Sequence, residues 1–197
     1  MGTPGPSVYD GSSAVDHSAI LRRVRLSSLA VLVLLAGCGS SGSSPSDQSL
    51  SGKPAAIRVT SSDFIHNGKL PTKYTCDGEG KEPLVYGGTV PVGTSEIVLV
   101  VSDADAPGGT FVHLTRFGIK TRGNGALDKG DEGTNSAGKI GWTPPCPPKG
   151  DGRHTYLWTV YALKDKSGLK EGASPSEVNA ALQHVLGKGS MSAFYSR

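Results

Sequence analysis

Long apolar runs are missing from this 197-residue chain. The longest uncharged apolar stretch, Leu26 to Ala36, falls well short of the roughly 20 residues that span a bilayer, which excludes a transmembrane helix there. An excess of one charge is missing too. Lys and Arg total 20 against 17 Asp and Glu, a net charge of +3, and no basic stripe is visible, which gives no case for nucleic acid. There is no internal repeat. No Gly-x-Ser-x-Gly elbow occurs, so a hydrolase using His154 as base lacks a nucleophile. His113, His154, Asp103 and Asp105 include no close pair with metal-ligand spacing, and neither a metal nor a cofactor is expected. Cysteine is scarce at three, whereas glycine is plentiful at 28 and predicts long loops between elements.

The first 37 residues read as an export signal. Arg22, Arg23 and Arg25 form a basic flank, Leu26 to Ala36 has the length of a signal-peptide apolar region, and Leu35-Ala36-Gly37-Cys38 resembles the lipobox of bacterial lipoproteins. That resemblance implies cleavage before Cys38, lipid on its thiol, and attachment to the outer face of the bacterial cell membrane. The stretch before Arg22 is long and polar for such a signal. The start therefore lies downstream, or Arg22-Arg23 forms a weak twin-arginine signal. Residues 38–53 comprise the lipidated Cys and a Ser/Gly-rich tether that cannot bury enough surface to order itself. Residues 54–197 then form one domain. The mature chain of 160 residues is large enough for a real core; it loses three positive and two negative charges with the signal and keeps a net +2.

The domain reads as mainly β with one clear helix. Glu96–Ser102 (EIVLVVS) is short, apolar and β-branched, as a strand buried on both faces should be. Phe111–Ile119 and the aromatic-rich Tyr156–Leu163 are further strands, and Ile57–Ile65 is a weaker fourth. Ser174-Pro175-Ser176-Glu177 is a capping box with Pro at the first helical position. Val178, Ala181, Leu182, Val185 and Leu186 share one helical face, with Gly187 as the stop. Asn124 to Ser136 is expected to be a long loop. In an oxidising compartment Cys76 and Cys146 either pair or remain two buried thiols; the sequence leaves both open.

Polar groups stand in unusual places. Asp103 and Asp105 follow the most apolar strand, and at i and i+2 of an extended chain they point to one side. His113 interrupts an apolar strand. A stiff Pro144-Pro145-Cys146-Pro147-Pro148 segment precedes His154 and Tyr156, which share a face by the same alternation. Taken singly, the acids read as turn caps and His113 as a core histidine.

Together these motifs resemble the phosphatidylethanolamine-binding protein family, in its bacterial Raf-kinase-inhibitor-like branch. The family's Asp-Pro-Asp-Ala-Pro stands here as Asp103-Ala104-Asp105-Ala106-Pro107, its strand histidine as His113, and its Gly-x-His-Arg-Tyr as Gly152-Arg153-His154-Thr155-Tyr156. Thr75-Cys76-Asp77-Gly78 and the Ala193-Phe194-Tyr195-Ser196-Arg197 tail match the branch, and the resemblance spans about residues 57–197. Ala104, Leu114 and Thr155 depart from it, standing for Pro, Trp and Arg. The resemblance implies a β-sandwich-like fold with one or two peripheral helices. It also implies a small cavity for an anionic ligand such as a phosphoryl group, a phospholipid headgroup or a nucleotide, bound by Asp103, Asp105, His113, Cys146, His154 and Tyr156. The family acts mainly by binding, and some members inhibit kinases or proteases by contact; a cryptic hydrolase, with Cys146 as a conceivable nucleophile beside His154, is the remaining alternative. A homodimer is left open.

The residues themselves pose a charge problem. His113, His154 and the Tyr156 hydroxyl suit an oxyanion, as would backbone N–H groups near Cys146, but two carboxylates would repel it. The expectation is that the acids orient and protonate the histidines, which then hold the anion more tightly at mildly acidic pH.

Overall fold

The structure is a computed structural model that describes Gly2 and residues 52–120 and 125–197. The signal segment, Cys38, nearly all of the tether and Asn124 lie outside the described residues. The chain divides into two units between Asp47 and Gln48. In the second unit, no described helix is long and apolar enough to cross a membrane.

Nine strands and one α-helix are described. They are β1 (Ala55–Ala56), β2 (Val59–Ser61), β3 (Gly68–Lys69), β4 (Val85–Gly87), β5 (Glu96–Asp103), β6 (Phe111–Ile119), β7 (Asp131–Glu132), β8 (His154–Leu163), α1 (Pro175–Ala181) and β9 (Val185–Tyr195). The main sheet runs β1-β9-β8-β5-β6-β7, with β3 also pairing β9, and β2 and β4 form a separate antiparallel pair. β5, β6, β8 and β9 are mutually antiparallel neighbours, whereas β1 and β3 add to β9 in parallel.

Alternation along the central strands supplies two cores, one on each face. Ile97, Leu99 and Val101 of β5 join Tyr156, Trp158 and Val160 of β8 and Met191 and Ala193 of β9 under the β2–β4 pair. Phe64 closes this side, its ring 4.6 Å from Trp158. The opposite residues, Val98, Phe117 and Leu163, pack under Val178 of α1. β5 is therefore buried on both faces, as its unbroken apolar run requires. Off the cores, Arg116 of β6 is buried with its guanidinium on Glu82 and Glu132 and on the Leu127 carbonyl. These contacts tie the loop after β6 to the sheet. Burial opposes a charge there, but the two carboxylates outweigh it and hold the guanidinium above its ordinary range.

Several expectations are corrected. The strand expected over Ile57–Ile65 is only Val59–Ser61; Asp63 then turns the chain, its carboxylate accepting from the Leu84 N–H and its own N–H donating to the Ser61 hydroxyl. The expected loop from Asn124 contains β7 and an Ala126–Tyr86 bridge. The helix start is as expected: Ser174 accepts from the Glu177 N–H, and Glu177 reaches back to the Ser174 N–H. Its end is not. α1 stops at Ala181, and Val185 and Leu186 open the eleven-residue β9. The competing partner is β8, whose whole length pairs with β9. Gly187 is therefore no helix stop. It and Gly189 permit a close approach: a Cβ on Gly189 would lie 1.8 Å from the Ile57 carbonyl oxygen, and one on Gly187 2.9 Å from the Pro91 ring.

Candidate functional site

One end of the main sheet opens into a cavity of about 190 Å³, lined by Asp103, Phe111, His113, His154 and Tyr156 and by the Pro-rich loop at residues 143–148. Each side chain arrives for a local reason. Asp103 is the last residue of β5 and pairs in register with Tyr156 of β8, so both project from one face. His154 opens β8 and projects to that face two residues earlier. His113 reaches the same face through an irregularity. Val101 pairs with Leu114 but Ser102 pairs with Val112, leaving His113 as an extra residue in β6. A β-bulge of this kind re-aims a side chain, and here it lets the consecutive His113 and Leu114 both face the cavity side.

The polar groups are held unequally. His154 is almost fully buried; its Nδ1–H donates to Asp103 Oδ2 at 2.8 Å and its Nε2–H to Asp151 Oδ2 at 3.3 Å. Carboxylates on both ring nitrogens call for the doubly protonated ring. Burial alone opposes that charge, but Asp103 by hydrogen bond and charge, with Asp151 behind it, outweighs it and raises the His154 pKa. His113 behaves oppositely. Its Nδ1 lies 2.7 Å from the Thr143 carbonyl oxygen, which can only accept, so Nδ1 carries the proton. The Thr143 N–H donates back to the His113 carbonyl at 3.0 Å, locking the pair. Phe111 and Tyr156 pack on this ring at 4.7 and 5.3 Å between centroids. Burial pushes the His113 pKa down, and the Thr143 bond and the Asp103 charge do not restore it. Burial likewise raises the Tyr156 pKa, with help from Asp103, so its hydroxyl is a firm donor. The Tyr156 oxygen and His113 Nε2 are buried and have no hydrogen-bond partner among the described residues.

The structure therefore brings together Asp103, His113, Cys146, His154 and Tyr156, but it separates Asp105. The strand ends at Asp103, whose Oδ1 accepts from the Asp105 N–H; the Asp105 carboxylate turns to the Thr155 N–H at 2.8 Å and lies outside the cavity lining. Of the two expected acids only Asp103 supports a histidine, His154, whose second carboxylate partner is Asp151. The expected backbone donors near Cys146 are also mostly missing, because Pro144, Pro145, Pro147 and Pro148 have no N–H. Cys146 is bonded to Cys76, 70 residues away in sequence, and so carries no thiolate. Asp151, the second partner of His154, is not among the expected site residues; its place three positions before His154 was the available signal.

The loop is fixed from behind. The Cys76 N–H donates to the Pro145 carbonyl, and Asp77 accepts from the Tyr195 hydroxyl and from Arg197, whose Nη1 also reaches Cys146 Sγ at 3.4 Å.

A sequence profile described as phosphatidylethanolamine-binding protein matches residues 60–196. The chain belongs to the phosphatidylethanolamine-binding protein family. Among curated relatives, a UPF0098 protein of Pyrococcus horikoshii is 35% identical over 181 residues, covering 86% of this chain and 87% of its own. Another from Aquifex aeolicus is 34% identical over 154 residues, 73% of this chain and 90% of its own. LppC of Mycobacterium tuberculosis, named as a candidate lipoprotein, is 31% identical over 172 residues, 78% of this chain and 85% of its own. Two crystal structures share the fold. The phosphatidylethanolamine-binding protein homolog CT736 of Chlamydia trachomatis matches with a TM-score of 0.64 at 30% identity, and Escherichia coli YbcL with 0.65 at 27%; each match covers 72% of this chain and 98% of the other.

The opposite shifts at His154 and His113 fix a pH dependence of stability in this family member. The stabilisation from His154 is complete below its unfolded pKa, near the ordinary 6.5, and is lost as pH rises through its higher folded value. The cost at His113 appears as pH falls below about 6.5 and is complete below its lower folded value. Urea midpoints measured from pH 5.5 to 8.5 should therefore peak at about 6.5. In His154→Asn the alkaline fall should vanish and the acid fall persist. A wild-type curve that does not fall on the alkaline side would refute the assignment.

Proposed function

We propose that this protein is an exported, lipid-anchored binding protein that captures a small anionic group, phosphoryl or carboxylate, in the cavity at the end of its main sheet. The carrying observation is that two of the four buried polar atoms without partners among the described residues, His113 Nε2 and the Tyr156 hydroxyl, lie in the wall of this cavity, beside the Asp103–His154 ion pair. A buried polar group without a hydrogen bond costs about 1–3 kcal/mol, and such groups are rare in folded proteins. Two of them in one cavity wall fit a site that a ligand's polar atoms complete. The His154 Nε2–H, which now serves the carboxylate of Asp151, is a donor that a ligand oxyanion could take over.

The volume limits the ligand. A cavity of about 190 Å³ has room for a phosphoryl group and a small substituent. A nucleoside or an acyl chain would have to lie outside. With lipid on Cys38, the domain stays near a membrane surface, within reach of headgroups and of small solutes there. The similarity to LppC supports the anchored placement.

Native mass spectrometry of the chain in methyl phosphate, beside a His154→Ala variant, tests the reading. The wild type should retain the ligand, and the variant should lose at least about tenfold in affinity, the worth of one charge-assisted hydrogen bond. Equal retention by both, or none by either, counts against an anion site here.

A further inference from the structure

His113 meets the cavity as an acceptor, not a donor. Its Nδ1–H is committed to the Thr143 carbonyl at 2.7 Å, so the ring cannot turn without breaking that bond, and the Thr143 N–H donates back to the main-chain carbonyl of His113, which holds the loop beside the ring. What remains is Nε2, buried and unpartnered, in the wall of the cavity. In the neutral ring that nitrogen carries a lone pair.

The surrounding groups keep it so. Among the described residues, Asp103 of β5 is the only anion lining the cavity with it, and that charge is already paired with His154 of β8. Tyr156 of β8 faces the ring edge-on and is neutral. The loop offers Thr143 and Pro144, which do not titrate, and Phe111 covers the ring from its own strand. Burial among these groups disfavours the imidazolium.

Resting on the anion-site reading above, we propose that the cavity selects a phosphoryl group that brings its own proton, a phosphomonoester monoanion, over a phosphodiester. The charges lining the cavity cancel, Asp103 against His154. A monoanion then places one oxygen at the Tyr156 hydroxyl and at the His154 Nε2–H, which it takes over from Asp151, while its P–OH donates to His113 Nε2. A diester has no such hydrogen. Its oxygen would face the lone pair of His113, or His113 would have to take a proton in a buried aromatic surround. A monoester loses its second proton with a pKa of about 6, so the matching form is abundant only at mildly acidic pH.

The test is calorimetric titration of the intact protein with methyl phosphate and with dimethyl phosphate at about pH 5.5 and about pH 8. Methyl phosphate should bind at least about tenfold tighter than dimethyl phosphate at the lower pH, one good hydrogen bond in a buried site. It should weaken by at least about tenfold at the higher pH, as the monoanion disappears. His113→Gln, whose amide can donate as well as accept, should narrow the preference to less than about threefold by admitting the diester. Should that variant fail to fold, imidazole nitrogen NMR shifts of the wild type report the same point: His113 must show a bare Nε2 at neutral pH. Dimethyl phosphate binding as tightly as methyl phosphate, or a protonated His113 at neutral pH, overturns this proposal and leaves the anion site standing. Binding of neither ester overturns both.

Discussion

Replacing Cys76 and Cys146 together by serine is expected to lower the unfolding free energy by about 4 kcal/mol. The link joins residues 70 apart, and a crosslink of that span removes about this much loop-closure freedom from the unfolded chain. Domains of this size are commonly stable by only about 5–15 kcal/mol, so the loss is a large share of the total. Folded contacts should change less. Both cysteines are exposed, and the loop keeps four prolines and the Cys76 N–H bond to the Pro145 carbonyl. Arg197 keeps its hold on Asp77. The effect therefore resides in the denatured state. Urea unfolding should show a lower midpoint together with a steeper slope, because an unlinked chain exposes more surface. An unchanged midpoint would mean that the unfolded chain is already restricted by other means. A lower midpoint with an unchanged slope would place the loss in the native loop.

Asp103→Asn should change the pH dependence of anion binding rather than simply weaken it. Removing a negative charge from a cavity ought by itself to favour an anion. Asp103, however, is also what keeps His154 protonated against its burial. In the variant the ring loses that support and becomes neutral at higher pH. Near pH 8 the affinity for methyl phosphate should fall by about tenfold, the difference between a charge-assisted hydrogen bond and a neutral one. Near pH 5 the histidine is protonated in both proteins, and the variant should match or exceed wild type. A crossing of the two affinity curves is the result to look for. Tighter binding by the variant at every pH would show that Asp103 acts only as a repulsive charge. The asparagine is close to isosteric, but its single carbonyl oxygen can accept either from the Asp105 N–H or from the His154 Nδ1–H, so the fold of the variant is to be checked by circular dichroism beside the titration.

The legibility of the fold in the sequence followed how local each signal was. β5, β6 and β8 could be read because each is a short apolar, β-branched or aromatic run, and burial on both sheet faces needs just that composition. The start of α1 could be read because a capping box is a four-residue device. Its end could not. Val178, Ala181, Leu182, Val185 and Leu186 satisfy a helical period, yet Val185 and Leu186 belong to a strand. The deciding partner, β8, lies more than twenty residues away and offers a full ladder of hydrogen bonds. The site shows the same division. Alternation within β8 sufficed to put His154 and Tyr156 on one face. The same rule failed for Asp105, because the chain turns immediately after Asp103 and the turn directs that carboxylate to the Thr155 N–H.

The sequence by itself thus determined the family, the apolar strands of the core, the helix cap and the residue types that meet in the cavity. These depend on composition and spacing over a few positions. The tertiary structure alone decided which groups pair. It joined Cys76 to Cys146, gave Asp103 to His154 and left Asp105 outside. It used a one-residue bulge to bring His113 inward with its Nδ1–H donating to the Thr143 carbonyl and its Nε2 lone pair free. Charge, tautomer and exposure depend on neighbours that are distant in the chain, and no local pattern encodes them.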